Sequence, residues 1–548
     1  LCFFTNANNK SALLCIEGVR GMHNIHVMLP QQKDLKERIC ADLDASAVPY
    51  SPVGDIFEQE HIRALGVCYQ QVASGMGSTV LFVSDPTRVL LHVANIPGVR
   101  PTTVLSDDLR EIRQFYNCFL VEDQAPGPLR RAVLAKIAAL VAPSFGTLER
   151  CVSREWVRQQ WSLDCIASES TASEQVCQMQ GSILTNKYAE GYPGARYYGG
   201  CAVVDEVERL AQKRAARLFG CRFANVQPHS GSQANQGVYT GLLDPGDTIL
   251  GMALSHGGHL THGYPISATG RVYQGVSYHV CRDTGLIDYD EVERLAQQHK
   301  PKLIIAGASA YPRVIDYARF RSIADSVGAY LLADIAHVAG LMAAKILPGP
   351  FPHAHVVTST NHKTLRGPRG GFILCDEEDV FKRINRGVFP GLQGGPLMHV
   401  IAAKAQAFQE AGTMHHQRLM KRVVAGAQKL AEVLMDAGFV VLTGGTDNHK
   451  VLVDLRNKNI TGQEAEDVLA SYNIVINKNM VPFDTAKPMN PSGMRLGTVA
   501  LACRGWDVPE FEQLGGIVTQ IIEAYGKKPV TNLHQKIRTL CERFPIAS

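Results

Sequence analysis

Lys363 stands alone where a β-branched run, Val356-Val357-Thr358-Ser359-Thr360, gives way to the turn Gly367-Pro368-Arg369-Gly370-Gly371. β-Branched residues favour a strand, and glycine with proline forces a loop, so Lys363 is expected just past the end of a buried strand. A lysine partly desolvated there has a lowered pKa and a free amine that can attack a carbonyl, which is Schiff-base chemistry. Asp334 closes a second strand-like run, Tyr330-Leu331-Leu332-Ala333. A buried aspartate needs a cationic partner, either a structural arginine or the protonated nitrogen of a bound pyridine ring. Phe223 to Gln227 reads as a strand and leads through Pro228-His229-Ser230-Gly231-Ser232-Gln233-Ala234-Asn235 into a helix. That order either caps a helix or aims backbone N–H groups and hydroxyls at an anion. Arg495 lies in the strand-like Ser492 to Thr498, as a solvated edge residue or a bidentate carboxylate clamp.

Two loops carry further candidates. His256, His259 and His262 are spaced three and three, which raises a metal site. Glycines separate them and no cysteine or carboxylate pair adjoins, so an imidazole stacking on an aromatic ligand fits as well. Tyr188, Tyr192, Tyr197 and Tyr198 crowd around Glu190 among glycines. Such a loop presents phenols and a carboxylate to a ligand or simply packs on itself. Gly387 to Pro396 is a glycine loop able to bring N–H groups close to a phosphate. Lysine, aspartate, stacking histidine, anion loop and late arginine together meet the needs of pyridoxal phosphate acting on an amino acid.

The elements that must position these groups are legible in outline. Residues 301–345 alternate buried strands, Lys302 to Gly307 and Tyr330 to Asp334, with a helical run. That is α/β alternation and implies a mostly parallel sheet, with Asp334 at a strand's carboxyl end where ligands bind. From about 412 the units are smaller, with a strand at Lys450 to Leu455. Leu148 to Trp161 reads as a helix. Ahead of it, Val80 to Val83 and Val89 to Val93 suggest a hairpin around Asp85-Pro86-Thr87, and Leu129 to Val141 a helix. Gly75-Met76-Gly77 is too short to interpret, and residues 29–144 show no chemistry.

Composition sets the outer bounds. The 548 residues are long enough for two or three domains, and 45% apolar with 19% charged content is ordinary for a globular protein. A net charge of +4 gives no basis for a nucleic-acid surface or polybasic membrane patch. The 14 cysteines form no CxxC pair, so free thiols in a reducing cytoplasm are expected. The chain begins with Leu1, and its first 21 residues lack a signal-peptide pattern. An over-extended reading frame, with Met22 or Met28 as the true start, is the expectation.

Residues from about 145 to 525 resemble the serine hydroxymethyltransferases. The resemblance rests on LTNKYAEGYPGARYYGG, NVQPHSGSQAN, SHGGHLTHG, DIAHVAGL, HKTLRGPRGG, FPGLQGGPLMH and MRLGT, in that order. It implies an α/β fold of the aspartate-aminotransferase type I class and reversible transfer of the serine hydroxymethyl group to tetrahydrofolate, giving glycine and 5,10-methylenetetrahydrofolate. It further implies Lys363 as the Schiff-base lysine, Asp334 at the pyridine nitrogen, and His259 stacked on the ring. Ser309 and His337 would lie at the phenolic oxygen, and Ser230, Gly231 and Ser232 at the phosphate, with Gly395 reaching in from a second subunit. Arg495 and Ser168 would hold the substrate carboxylate, and Glu190 would exchange the hydroxyl proton. Tyr188 and Tyr197 would line the same pocket from the partner chain, in a homodimer or tetramer. Leu254, Gly258, Leu260 and Asn479 match folate positions, and His362 and Arg369 supports. The implied layout is an extension at 1–144, an arm with the large cofactor domain at 145–411, and a small domain at 412–548. Ser170 stands where the family has Asn and Asn361 where it has Thr. Rival readings are a threonine aldolase-like enzyme of the same fold and an inactive homologue serving as a binding protein.

Overall fold

In the computed structural model, residues 147–527, 530 and 532–546 are described, along with six short strands between 13 and 106. The chain divides into two compact units, Leu1–Ser162 with His534–Pro545, and Leu163–Leu533 with Ile546–Ser548. In the first, Leu13–Glu17, Asn24–Met28 and Tyr50–Val53 form one sheet. The expected hairpin is present: Thr79–Ser84 pairs antiparallel with Val89–Ala94, which pairs in turn with Thr102–Ser106. The helix expected over Leu129 to Val141 and the Gly75-Met76-Gly77 segment lie outside the described residues. Thr147–Gln160 is helical as its apolar spacing requires, and the Arg538 guanidinium lies 5.3 Å from the Trp161 ring centroid.

The second unit is built on a seven-stranded sheet. Its strands are β1 (Phe223–Asn225), β2 (Thr248–Met252), β3 (Gln274–Tyr278), β4 (Leu303–Gly307), β5 (Tyr330–Asp334), β6 (Val356–Thr360) and β7 (Gly371–Cys375). The order across the sheet is β1-β7-β6-β5-β4-β2-β3. Pairings from β3 through to β6 are parallel, and β7 runs antiparallel to both its neighbours. The inner strands are apolar on both faces because helices cover both. Leu303, Ile305 and Leu332 face α2 (Gly231–Leu242) and α5 (Glu378–Val388), and Ile304, Ala306 and Leu331 face the opposite core. That second core also takes in α1 (Ala202–Phe219), α3 (Tyr289–His299), α4 (Tyr317–Val327) and α6 (Met398–Ala411). Each fully buried Leu, Ile, Val or Phe side chain stabilises the fold by about 1.5–3 kcal/mol relative to exposure.

A smaller antiparallel sheet follows, ordered β8-β9-β11-β10. Its strands are β8 (Val440–Val441), β9 (Lys450–Asp454), β10 (Asn477–Asn479) and β11 (Gly493–Gly497). The helices α7 (Met414–Asp436), α8 (Gly462–Ser471) and α9 (Val508–Glu523) accompany it. Register places Arg495 opposite Leu452 on one side and Asn477 on the other.

Candidate active site

Because β1, β2, β4, β5 and β6 run the same way, their carboxyl ends share one edge of the sheet, and each hands over a functional group there. The segment after β6 supplies Lys363, and β5 ends on Asp334 and continues to His337. The segment after β4 carries Ser309, that after β2 carries His259, and that after β1 carries Ser230. The side chains interact. Burial pushes the Lys363 amine down to about 8, with Asp334 opposing the shift and Arg495 and Arg369 adding to it. Burial also lowers His259 to about 4 and His337 well below its ordinary value, so both imidazoles are neutral at pH 7. His337 stacks on His449 at 5.6 Å between ring centroids.

Asp334 is held by a network that the sequence does not announce. Burial works against its carboxylate, but the hydrogen bond and field of His262, then His259 and Asn235, keep it well below the usual range. His262 Nε2 lies 3.0 Å from Asp334 Oδ2, and the Asn235 amide donates to the same oxygen at 2.9 Å. The His259 backbone N–H donates to His262 Nδ1 at 3.3 Å, which puts the His262 proton on Nε2, facing Asp334. Thr358 fixes Asn235 by donating to its Oδ1 at 2.6 Å. The three loop histidines thus part company, for His256 packs against His279 and Phe483 instead. Spacing alone made them look like one set.

Ser230 caps α2, its hydroxyl accepting from Gln233 N–H at 3.2 Å, and Gly231 and Ser232 begin the helix. A Cβ on Gly231 would come 2.6 Å from Thr360 Cγ2, so β6 requires glycine there. Beneath this loop lies Lys404, 1% exposed, which donates to the carbonyls of Val226, Gly371 and Pro228 at 2.6, 2.8 and 2.9 Å. It ties the end of β1, the entry to the loop and the start of β7 together.

Arg495 is buried, donating from Nε to Asn477 Oδ1 at 3.1 Å and from Nη1 to the Ser309 carbonyl at 2.9 Å. Burial lowers it to about 10. Among the described residues it has no carboxylate partner. Ser168 follows Ala167, whose Cα packs where a Cβ on Gly497 would lie, two residues beyond Arg495. Leu254, Gly258 and Leu260 share a pair of short turns after β2, with both leucines exposed, while Asn479 ends β10. His362 accepts from Gly370 N–H at 3.4 Å, and Arg369 is exposed. Ser170 donates to the His362 carbonyl at 3.2 Å, whereas both polar side-chain atoms of the buried Asn361 lack partners among the described residues.

Glu190 and Tyr188 form a second group. Tyr188 donates to Glu190 Oε1 at 3.2 Å, and a Cβ on Gly395 would come 3.0 Å from the Tyr188 ring. Tyr198 meets Tyr188 edge-on at 5.0 Å, while Tyr197 packs against Phe389 at 5.7 Å. Tyr198 therefore joins this group through Tyr188, and Tyr197 through its backbone N–H, which donates to the Glu190 carbonyl at 3.0 Å. No hydrogen bond or ion pair among the described residues links Tyr188 or Glu190 to Lys363 or Arg495.

The sequence profile of the serine hydroxymethyltransferases matches residues 146–518. The chain belongs to that family. It is 53% identical over 418 residues to the serine hydroxymethyltransferase of Methylorubrum populi, covering 75% of this chain and 96% of that one. Against the serine hydroxymethyltransferase of Anaplasma marginale it is 61% identical over 389 residues, 71% of this chain and 90% of the relative. The Acidiphilium cryptum protein of the same name is 55% identical over 415 residues, covering 74% and 96%. The chain is accordingly a hydroxymethyltransferase with the type I fold, and the strand-end constellation around Lys363 lies within the matched residues.

Proposed function

We propose that the strand-end cluster binds pyridoxal phosphate and uses it to exchange a hydroxymethyl group between serine and tetrahydrofolate. The observation that carries the amino-acid substrate is Arg495, a buried guanidinium with no carboxylate of its own among the described residues, beside a lysine whose amine is held near pH 8. The residues fit the cofactor. The α2 N-terminus with Ser230, Gly231 and Ser232 suits a phosphate, the engaged Asp334 carboxylate suits a protonated pyridine nitrogen, and the neutral His259 ring suits stacking. His337 and Ser309 stand at the phenolic oxygen, and His362 and Arg369 support the Lys363 turn.

When bound, pyridoxal phosphate supplies the electron sink for the pair left by Cα–Cβ cleavage. Lys363 offers its amine as the point of attachment, and Asp334 keeps a proton on the ring nitrogen. Arg495 and Ser168 hold the substrate carboxylate, which fixes the orientation of the scissile bond. Glu190 exchanges the proton of the substrate hydroxyl. Leu254, Gly258, Leu260 and Asn479 face the folate.

Glu190, Tyr188, Tyr197 and Gly395 act across a homodimer, each serving the Lys363 of its partner. Among the described residues no bond joins Glu190 or Tyr188 to Lys363 within one chain, which supports this, as do the exposed Ile183, Tyr197 and Val203 around that loop. We place the extension at 1–144, the large domain at 145–411 and the small domain at 412–548. The free Cys165, Cys201 and Cys375 support a reducing, cytoplasmic setting.

An absorbance spectrum of the purified protein with glycine, then tetrahydrofolate, tests the proposal. A yellow protein that gains a long-wavelength band only with both ligands fits it. A yellow protein indifferent to folate points to an aldolase, and one that stays colourless with added pyridoxal phosphate refutes the cofactor.

A further inference from the structure

Lys450, the first residue of β9, is 1% exposed. Among the described residues its ammonium has neither a hydrogen-bond acceptor nor a carboxylate in ion-pair range, and the charges acting on it are the cations Arg495 and Lys363. An unpaired buried ammonium is costly, so it either sheds its proton or finds a counter-ion. Lys450 lines a cavity of about 30 Å³, walled by Val338, Met342 and Leu347. Tyr317, buried at 4% exposure, lines the same cavity with a hydroxyl that has no partner among the described residues. The other polar groups there are already occupied. Arg313 is paired with Asp447 at 2.8 Å, and the Asn448 amide donates to the Tyr311 carbonyl at 3.3 Å while its Oδ1 accepts the Lys450 backbone N–H at 3.1 Å. Asp334 borders the cavity too, with its carboxylate taken up by His262, Asn235 and the Ala336 N–H.

The groups left free are therefore two donors in a space whose other polar groups are engaged; burial, with Arg495 and Lys363, pushes the Lys450 amine well below its ordinary value, and a bound anion would hold it protonated. We propose that this cavity binds a small monovalent anion of about chloride size, held by the Lys450 ammonium and the Tyr317 hydroxyl. The volume is above the roughly 10–15 Å³ that admits one water and too small for a phosphate ester. The cavity shares Asp334 with the cofactor groups but neither Lys363 nor Arg495 lines it, and the inference stands without the cofactor reading.

The test is the melting temperature of the whole protein in chloride against gluconate at matched ionic strength, for the parent, Lys450→Met and Tyr317→Phe. A ligand that binds only the folded state raises the melting temperature with the logarithm of its concentration. The parent is expected to gain a chloride-specific rise, Tyr317→Phe a smaller one and Lys450→Met none. A bromide-soaked crystal of the parent should show an anomalous peak beside Lys450, a readout that holds even if Lys450→Met fails to fold. Equal melting in the two salts, a rise that persists in Lys450→Met, or a bromide-free cavity would each overturn the proposal.

Discussion

Replacing Lys404 with methionine removes an ammonium and keeps most of its stem. In the parent that ammonium serves three carbonyls in a dry interior. Pro228 O would retain a donor, because the Gly371 N–H reaches it at 3.0 Å. Val226 O and Gly371 O would each lose a charged donor. Leaving a buried polar group short of a partner costs about 1–3 kcal/mol, so two such losses predict about 2–6 kcal/mol of destabilisation. The same change frees the entry to the Ser230 loop, so affinity for pyridoxal phosphate should fall about tenfold or more, equivalent to about 1.4 kcal/mol. The assay is a denaturant midpoint with and without cofactor at one fixed protein concentration, plus a spectral titration of the cofactor. If Lys404→Met stays within about 0.5 kcal/mol of the parent and binds cofactor equally well, the ammonium does not organise the loop.

The Lys363 amine, held at about 8, predicts that cofactor uptake by the stripped protein speeds up with rising pH, half-maximal near that value. The sign follows from the free amine being the reactive form, and a midpoint near the ordinary lysine value of about 10.4 would contradict it. Arg495→Lys gives up one arm of a fork, worth about 1.5–3 kcal/mol, so serine kcat/KM should fall roughly 10- to 100-fold, and an unchanged value removes Arg495 from the carboxylate site. Glu190→Gln should lower kcat about 100-fold or more with little change in serine KM, and a pure KM effect would make Glu190 a binding group rather than a proton carrier. Asn361→Thr replaces an amide with two unpaired buried atoms and should gain about 1–2 kcal/mol in chemical denaturation. A loss would mean that an ordered water satisfies the amide.

What could be read from the sequence was mostly what neighbouring residues decide together. The β-branched run before Lys363 is β6, the apolar run before Asp334 is β5, and Ser230 caps a helix that starts at Gly231. The strand expected at Lys450 to Leu455 is β9, one residue shorter. What stayed hidden depends on partners far apart in the chain. Asn235 and Asp334 are separated by 99 residues, and Lys404 and Val226 by 178. No local pattern marks a lysine as a ligand of three carbonyls or a histidine as the support of an aspartate 72 positions on. Lys450 looked like one more residue of a strand, since the β9 residues that follow it gave no sign of a cavity.

Lys363, Arg495 and Lys450 are gathered out of water, and the carboxylate that acts on Lys363, Asp334, is already engaged by His262 and Asn235. Gathering like charges raises the free energy of the folded chain, and each anion that settles among them lowers it again. The chain is therefore at its least secure when empty. In a cell that continually unfolds and clears marginal proteins, supply of cofactor, substrate and small anions would govern how many copies persist as well as how fast each one works.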